Sequence, residues 1–341
     1  MTTMKAAVLT GVGEVEIQDI PVPDLGSREV LVKIGAASIC SWEQRTFIGK
    51  QKPGFPLLGG HENAGEVVAI APDVTQVKVG NRVTLGPTKC GTCRACVRGE
   101  DKGCQEHFAY FSLKGGELGP GGFLEYKVHR EDGCFPVGDA PFELACLAEP
   151  LSCAVHGVRL MGMKAGDTAV VFGAGPMGLL NAMVLQHAGV DVALVDMEQE
   201  RLDYASSHGI RKTILSSGDA VDSILEEFPG GVDGVVTAIG SNAVNQQGLK
   251  VLQPRGTLCL FASAHPVEAL EIDPNWVHNT EVRIIGAVSA DIEDHKRATD
   301  MIAAGEIDLT PIMEKTFPLT DAKAAFEYLS AKPSYRVALI P

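Results

Sequence analysis

From about residue 150 to residue 287, short apolar runs alternate with helical stretches of about ten or more residues. That alternation restricts this part of the chain to a parallel sheet covered by helices. The runs are TAVVF, DVALV, KTIL, GVVTAI, TLCLF and VRIIG. Before them the grammar differs: KAAVL, EVEIQDI, EVLVKIGAAS, AGEVVAIA and NRVTL are short β-branched runs between Gly and Pro, which predict an irregular β domain. After residue 288 come a helix in IEDHKRATDMIAAG, a second in TDAKAAFEYLSA and a closing strand in YRVALIP. A chain of 341 residues exceeds one core of ordinary size, so two domains are expected.

TAVVF leads straight into Gly173-Ala174-Gly175-Pro176-Met177-Gly178 and then into the helical LLNAMVLQHAG. Strand, glycine turn and helix in that order form a dinucleotide-binding turn. Gly173 permits the tight turn, Gly175 lets a pyrophosphate approach the backbone, and Gly178 lets helix and strand pack closely, while the helix N-terminus offers N–H groups to the anion. The next strand ends at Asp196, 18 residues past Gly178, where a carboxylate can accept hydrogen bonds from ribose hydroxyls or cap a helix. A carboxylate there repels a 2′-phosphate, so NAD is expected over NADP. Arg201, five residues on, lies against the adenine or faces solvent.

Cys90, Cys93, Cys96 and Cys104 stand as C-x2-C-x2-C-x7-C in KCGTCRACVRGEDKGC. This spacing predicts a closed tetrathiolate zinc lobe, pinned by the ion because it has little apolar core of its own. An iron–sulfur cluster and a disulfide framework also use dense cysteines. The other five cysteines, Cys40, Cys134, Cys146, Cys153 and Cys259, show no pairing rhythm, as expected of a reducing compartment.

A second constellation is more dispersed. His61 and Glu62 stand side by side in GHENAG, Cys40 lies 21 residues before His61, and Glu149 precedes Pro150. Singly they read as a buried thiol, a core histidine and a helix-start acid. In their order along the chain, with the four-cysteine lobe and the GxGPxG turn, they resemble the zinc-dependent medium-chain dehydrogenase/reductase superfamily over essentially the whole length. AEPLSCAVHGV, with Glu149-Pro150-Leu151, is similar to its polyol (sorbitol-type) branch.

The resemblance implies a Rossmann NAD-binding domain, 151–287, inserted into a GroES-like catalytic domain made of 1–150 and 288–341. Val288, where the insert ends, falls among the cofactor-contacting positions. It implies a catalytic zinc held by Cys40, His61 and either Glu62 or Glu149, with an open position for a substrate alcohol. Two zinc ions per chain are then expected. Hydride would pass from a secondary alcohol of a polyol, sugar or cyclitol to NAD. Glu43 falls where the family has an Asp bonded to the ligand histidine, and is a longer substitute. Trp42 stands where relatives carry a Ser or Thr that starts the proton relay. Indole has no lone pair for that proton, so the expectation is exit through Glu62 or Glu149, with the ring as an apolar wall for a sugar face. Gln44, Arg45, His107 and Lys114 are further candidates for polar contacts to substrate.

A formal charge of −14 without a basic patch speaks against nucleic acid as a partner. The N-terminus has no basic start followed by a long apolar run, and no stretch offers about 18 uninterrupted apolar residues. A soluble cytoplasmic protein acting on a small molecule is expected. GTLCLF and the following ASAHPVEALEID lie where relatives often join into dimers, so a homodimer or homotetramer is expected. The alternatives are a zinc-independent alkene or quinone reductase of the same fold, and a non-catalytic NAD-binding protein.

Overall fold

The structure, a computed structural model, describes residues 3–104, 119–264, 266–331 and 334–341. The chain divides into two compact units, Met1–Ser152 with Ala290–Pro341, and Cys153–Ser289. Strands β1 to β7 lie in the first segment, at Thr3–Gly11, Glu14–Pro21, Glu29–Ser38, Glu62–Ile70, Arg82–Leu85, Tyr126–Arg130 and Cys134–Pro136. The second unit holds β8 to β13, at Thr168–Phe172, Asp191–Asp196, Lys212–Leu215, Val232–Thr237, Leu252–Leu260 and Arg283–Gly286. The final segment returns to the first unit with β14, Met313–Pro318, and β15, Arg336–Ile340.

In the first unit β1 and β2 form an antiparallel ribbon, and a larger sheet runs β14-β15-β3-β4-β5-β7 with β6 also on β3. The alternation in EVLVKIGAAS turns Val30, Val32 and Ile34 into the core while Lys33 faces out. Around them pack Leu9, Leu57, Leu58, Phe123 and Phe326, all essentially inaccessible to solvent. Phe326 stacks on Phe47 with ring centroids 5.1 Å apart, fastening the helix Ser41–Phe47 to the C-terminal helix Ala322–Ala331.

In the second unit six parallel strands run β10-β9-β8-β11-β12-β13. Their central members are buried on both faces, which is why TAVVF and DVALVD read as continuous apolar runs. The switch in strand order falls beside β8, and β8 is the strand that feeds the glycine turn. GTLCLF belongs to β12, the last strand but one, which is hydrogen-bonded to β11 and β13 on its two sides, so the edge on that side of the sheet is β13. Among the described residues one stretch, Phe142–Met161, is long and apolar enough to cross a membrane, and it is mostly buried.

Candidate functional site

Three separate stretches of sequence meet because of strand register. β3 pairs with β4 so that Ser38 faces Glu62, and β15 pairs with β3 so that Ala338 faces Ser38. Just past the end of β3, Cys40 becomes the N-cap of the helix Ser41–Phe47. Glu62 is the first residue of β4 rather than part of the loop before it. The ligand-type atoms of Cys40, His61 and Glu62 lie within 4.8 Å of one another. Glu149, in the first turn of the helix Ala148–Met161, is outside that group.

Glu43 ties this group together. One carboxylate oxygen accepts the amide of Cys40 at 3.1 Å, and the other accepts the Gly60 amide at 3.0 Å and His61 Nδ1 at 2.8 Å. With Nδ1 donating to a carboxylate, His61 keeps the Nε2 lone pair for another partner. The turn before His61 requires glycine: Gly60 has φ +90°, and a Cβ there would lie 2.7 Å from the Phe123 amide nitrogen. Burial by itself would lower the pKa of His61, but the charges of Glu43 and Cys40 prevail and hold it well above the ordinary value. For Glu43 burial alone would raise the carboxyl, and His61 with the amides reverses this.

Arg336 is the residue of this group that sequence reasoning missed. It is 4% exposed, and its Nη2 lies 2.7 Å from Glu62 Oε1 and 3.9 Å from Cys40 Sγ. Burial would lower its pKa, yet Glu62, Cys40, Glu149 and Glu43 together raise it. Nothing near Cys40 in sequence announces a partner 296 residues away. Glu62 is fully buried, and its Oε2 has no hydrogen-bond partner. A buried carboxylate oxygen left without a donor, beside a thiol and an oriented imidazole, is the donor set a zinc ion satisfies. The half-buried Trp42 places its ring edge-on to His61 with centroids 6.4 Å apart. Of the polar candidates, Gln44 donates to Leu329 O at 2.6 Å, while His107 and Lys114 lie outside the described residues.

The four cysteines of the lobe also converge within 4.8 Å, as free thiols. Cys93 and Cys96 sulfurs are 3.4 Å apart, and those of Cys90 and Cys96 3.8 Å. The Thr92 and Cys93 amides push the Cys90 thiol down to about 6, while burial and the neighbouring sulfurs push Cys96 up to about 12. Thiols crowded in this way can all ionise only around a cation, and a tetrahedral zinc fits them. The lobe is anchored by Lys89, whose Nζ reaches both oxygens of the buried Asp101 at 3.1 Å and whose backbone meets Arg130 and Asp132.

In the second unit the glycine turn joins β8 to the helix Pro176–His187, with Gly175 as N-cap and Pro176 in the first turn. Gly173 has φ +101°. A Cβ on Gly178 would lie 1.6 Å from Gly173 O, so only glycine allows the helix this close to the turn. A Cβ on Gly175 would meet only Arg201 Nη1, at 3.3 Å, which leaves that backbone approachable. These features fit a dinucleotide phosphate. Asp196, the last residue of β9, accepts the Ala174 amide at 2.6 Å and the Glu198 amide at 3.0 Å. It therefore braces the turn, and the N-cap position of the helix that follows is Glu198, which makes no side-chain capping bond. Arg201 pairs with Glu198 at 2.9 Å, the Met177 carbonyl accepts Asn181 Nδ2, and Val288 is 74% exposed.

Residues 26–139 match the alcohol dehydrogenase GroES-like domain family, and residues 176–304 the zinc-binding dehydrogenase family. The chain is 31% identical to D-altritol 5-dehydrogenase of Agrobacterium fabrum (strain C58), over 94% of each chain. It is 28% identical to sorbitol dehydrogenase of Bombyx mori, over 99% of each. Among solved structures, a protein described as a zinc-binding dehydrogenase from Sinorhizobium meliloti 1021, bound to NADP, superposes with a TM-score of 0.89 at 29% identity over the full length of both chains. Two domain families in this order, relatives matched from end to end, and the convergence of Cys40, His61 and Glu62 agree: the chain belongs to the zinc-dependent medium-chain dehydrogenase/reductase superfamily, in its polyol dehydrogenase branch.

Proposed function

We propose that the chain oxidises a secondary alcohol of a polyol, sugar or cyclitol with NAD, at a zinc ion held by Cys40, His61 and Glu62. The observation that carries this reading is the buried Glu62 carboxylate, with one oxygen lacking any donor, inside a 4.8 Å group with a thiol and an imidazole. Zinc, when bound, supplies a Lewis acid to the alcohol oxygen, and the nicotinamide, when bound, accepts the hydride.

The remaining work falls to side chains. Glu43 orients His61 and braces the backbone at Cys40, so both ligands are placed by one carboxylate. Arg336, buried like Glu62, offsets the charge of Glu62 and of Cys40 when ionised. Trp42 walls the site with an apolar surface suited to the C–H face of a sugar or cyclitol, and cannot take a proton. That duty passes to the carboxylates, Glu62 or Glu149. The Gly173–Gly178 turn holds the pyrophosphate. Asp196 disfavours a 2′-phosphate, which supports NAD, although the Sinorhizobium relative is bound to NADP. Cys90, Cys93, Cys96 and Cys104 hold a second, structural zinc. A homodimer or homotetramer and a cytoplasmic location, consistent with nine free cysteines, complete the reading.

Metal analysis and an activity panel test it together. Two zinc ions per chain and chelator-sensitive NADH formation from polyols, sugars or cyclitols are expected, with NADP a poorer acceptor. One zinc per chain, or anomalous scattering with no heavy atom at Cys40, His61 and Glu62, sinks it in favour of a zinc-independent reductase or a non-catalytic protein. Trp42→Ser should raise the apparent KM for the alcohol while leaving zinc content unchanged.

A further inference from the structure

Arg45 lies one helical turn from Cys40 and has no ion-pair partner among the described residues. On the helix Ser41–Phe47, Glu43, Thr46 and Phe47 point into the core, and Gln44 is spent on the Leu329 carbonyl. Arg45 stands four residues after Ser41 and three after Trp42, so the three share one side of the helix, with Trp42 also packed against the core. That face borders the ligands: Ser41 Oγ is 3.9 Å from Cys40 Sγ, and the Trp42 ring is 6.4 Å from that of His61. Side chains on a helix lean toward its N-terminus, which puts Arg45 on the same side of the helix as Ser41 and Trp42.

The charge environment makes the arginine unusual. Acidic residues outnumber basic ones by fourteen in this chain, and Arg28, Arg130, Arg201 and Arg336 each hold a carboxylate within 3 Å. Arg45 has no such partner among the described residues, although it is half-buried and its Nε is closed to solvent without a hydrogen bond. A cation kept partly desolvated and unpaired is costly unless a ligand supplies the counter-charge. A guanidinium fork matches carboxylate and phosphate oxygens.

We propose that Arg45 binds an anionic group on the substrate, so that the preferred alcohol is a sugar or polyol bearing a carboxylate or phosphate rather than a neutral polyol. The proposal rests on the reading of Cys40, His61 and Glu62 as the reaction centre. Ser41 and Trp42 then line the space between the reacting carbon and the anion, and Arg45 acts as a specificity residue at the far end of the substrate.

The test is calorimetric titration of the zinc-loaded full-length chain with D-gluconate, D-glucitol 6-phosphate and D-glucitol, for wild type, Arg45→Gln and Arg45→Lys. One of the anions should bind about 10- to 100-fold more tightly than D-glucitol to wild type. Arg45→Gln should erase that preference, Arg45→Lys should restore part of it, and zinc content and NADH affinity should stay as in wild type. No anion preference in wild type, or one that survives Arg45→Gln, overturns the proposal. So does a loss of NADH affinity in Arg45→Gln equal to the loss for the anion, since Arg45 would then serve a cofactor phosphate. Binding is read without turnover, so an Arg45-dependent preference in a chain that forms no NADH leaves the anion site standing and sinks the dehydrogenase reading alone.

Discussion

Glu43 shows how much of the Cys40, His61 and Glu62 group can rest on one buried carboxylate behind it. Its two oxygens serve Cys40, Gly60 and His61 at 2.8 to 3.1 Å, and it is fully buried. Glu43→Ala should weaken zinc binding at Cys40, His61 and Glu62 by about 10- to 100-fold, measured by competition with a chromophoric chelator, with the four-cysteine lobe unaffected. A ligand histidine must be neutral, while Glu43 and the Cys40 thiolate favour the charged ring. Zinc uptake should therefore release a proton and weaken as the pH falls. The sequence offered Glu43 as a longer stand-in for aspartate. The extra methylene is accommodated because the helix begins at Cys40, which puts Glu43 in the first turn, directly beneath the Gly60 turn.

At the scale of elements, the glycine turn separates steric need from ligand need. Gly178→Ala forces a Cβ into Gly173 O, so the helix Pro176–His187 must shift, at a cost of about 1–3 kcal/mol or more. Gly175→Ala meets only the end of Arg201, so the fold should tolerate it. Thermal unfolding should fall for Gly178→Ala and hold for Gly175→Ala, while NADH titration should show weakened binding for both. Equal melting temperatures for the two variants would contradict this assignment. This turn was legible from sequence because strand, glycines and helix are adjacent in the chain. The edge of the same sheet was not: which of β12 and β13 lies outermost depends on the order in which strands assemble.

For the whole molecule, the first unit carries an acid-sensitive core. His295, on the helix Ile292–Ala303, bonds Thr84 of β5 through Nε2 at 3.1 Å, and His129 of β6 donates to Gly86 O at 3.0 Å. Burial pushes both imidazoles down to about 3, with Lys127 adding to the effect on His129 and His129 to that on His295. Both stay neutral when folded but protonate near pH 6.5 when unfolded. Their contribution is complete above that value and is lost as the pH falls toward 3, by up to about 1.4 kcal/mol per pH unit for each histidine. Melting temperature against pH should be shallower below pH 6 for His295→Asn than for wild type. Parallel curves would show that these rings do not govern acid stability.

Periodicity, cysteine spacing and the glycine turn act over a few residues, through steric and hydrogen-bonding rules that any solvent-exposed chain obeys. Two domains, a thiol lobe and a nucleotide turn could therefore be read before any folding was considered. Arg336 against Glu62, the grouping of Glu62 with Cys40 and His61, and an Arg45 without a partner among the described residues could not. Each depends on antiparallel pairing of β15 with β3 and β3 with β4, or on which helix face the core claims. Only burial decides which charges must find partners, and burial is a property of the assembled sheet.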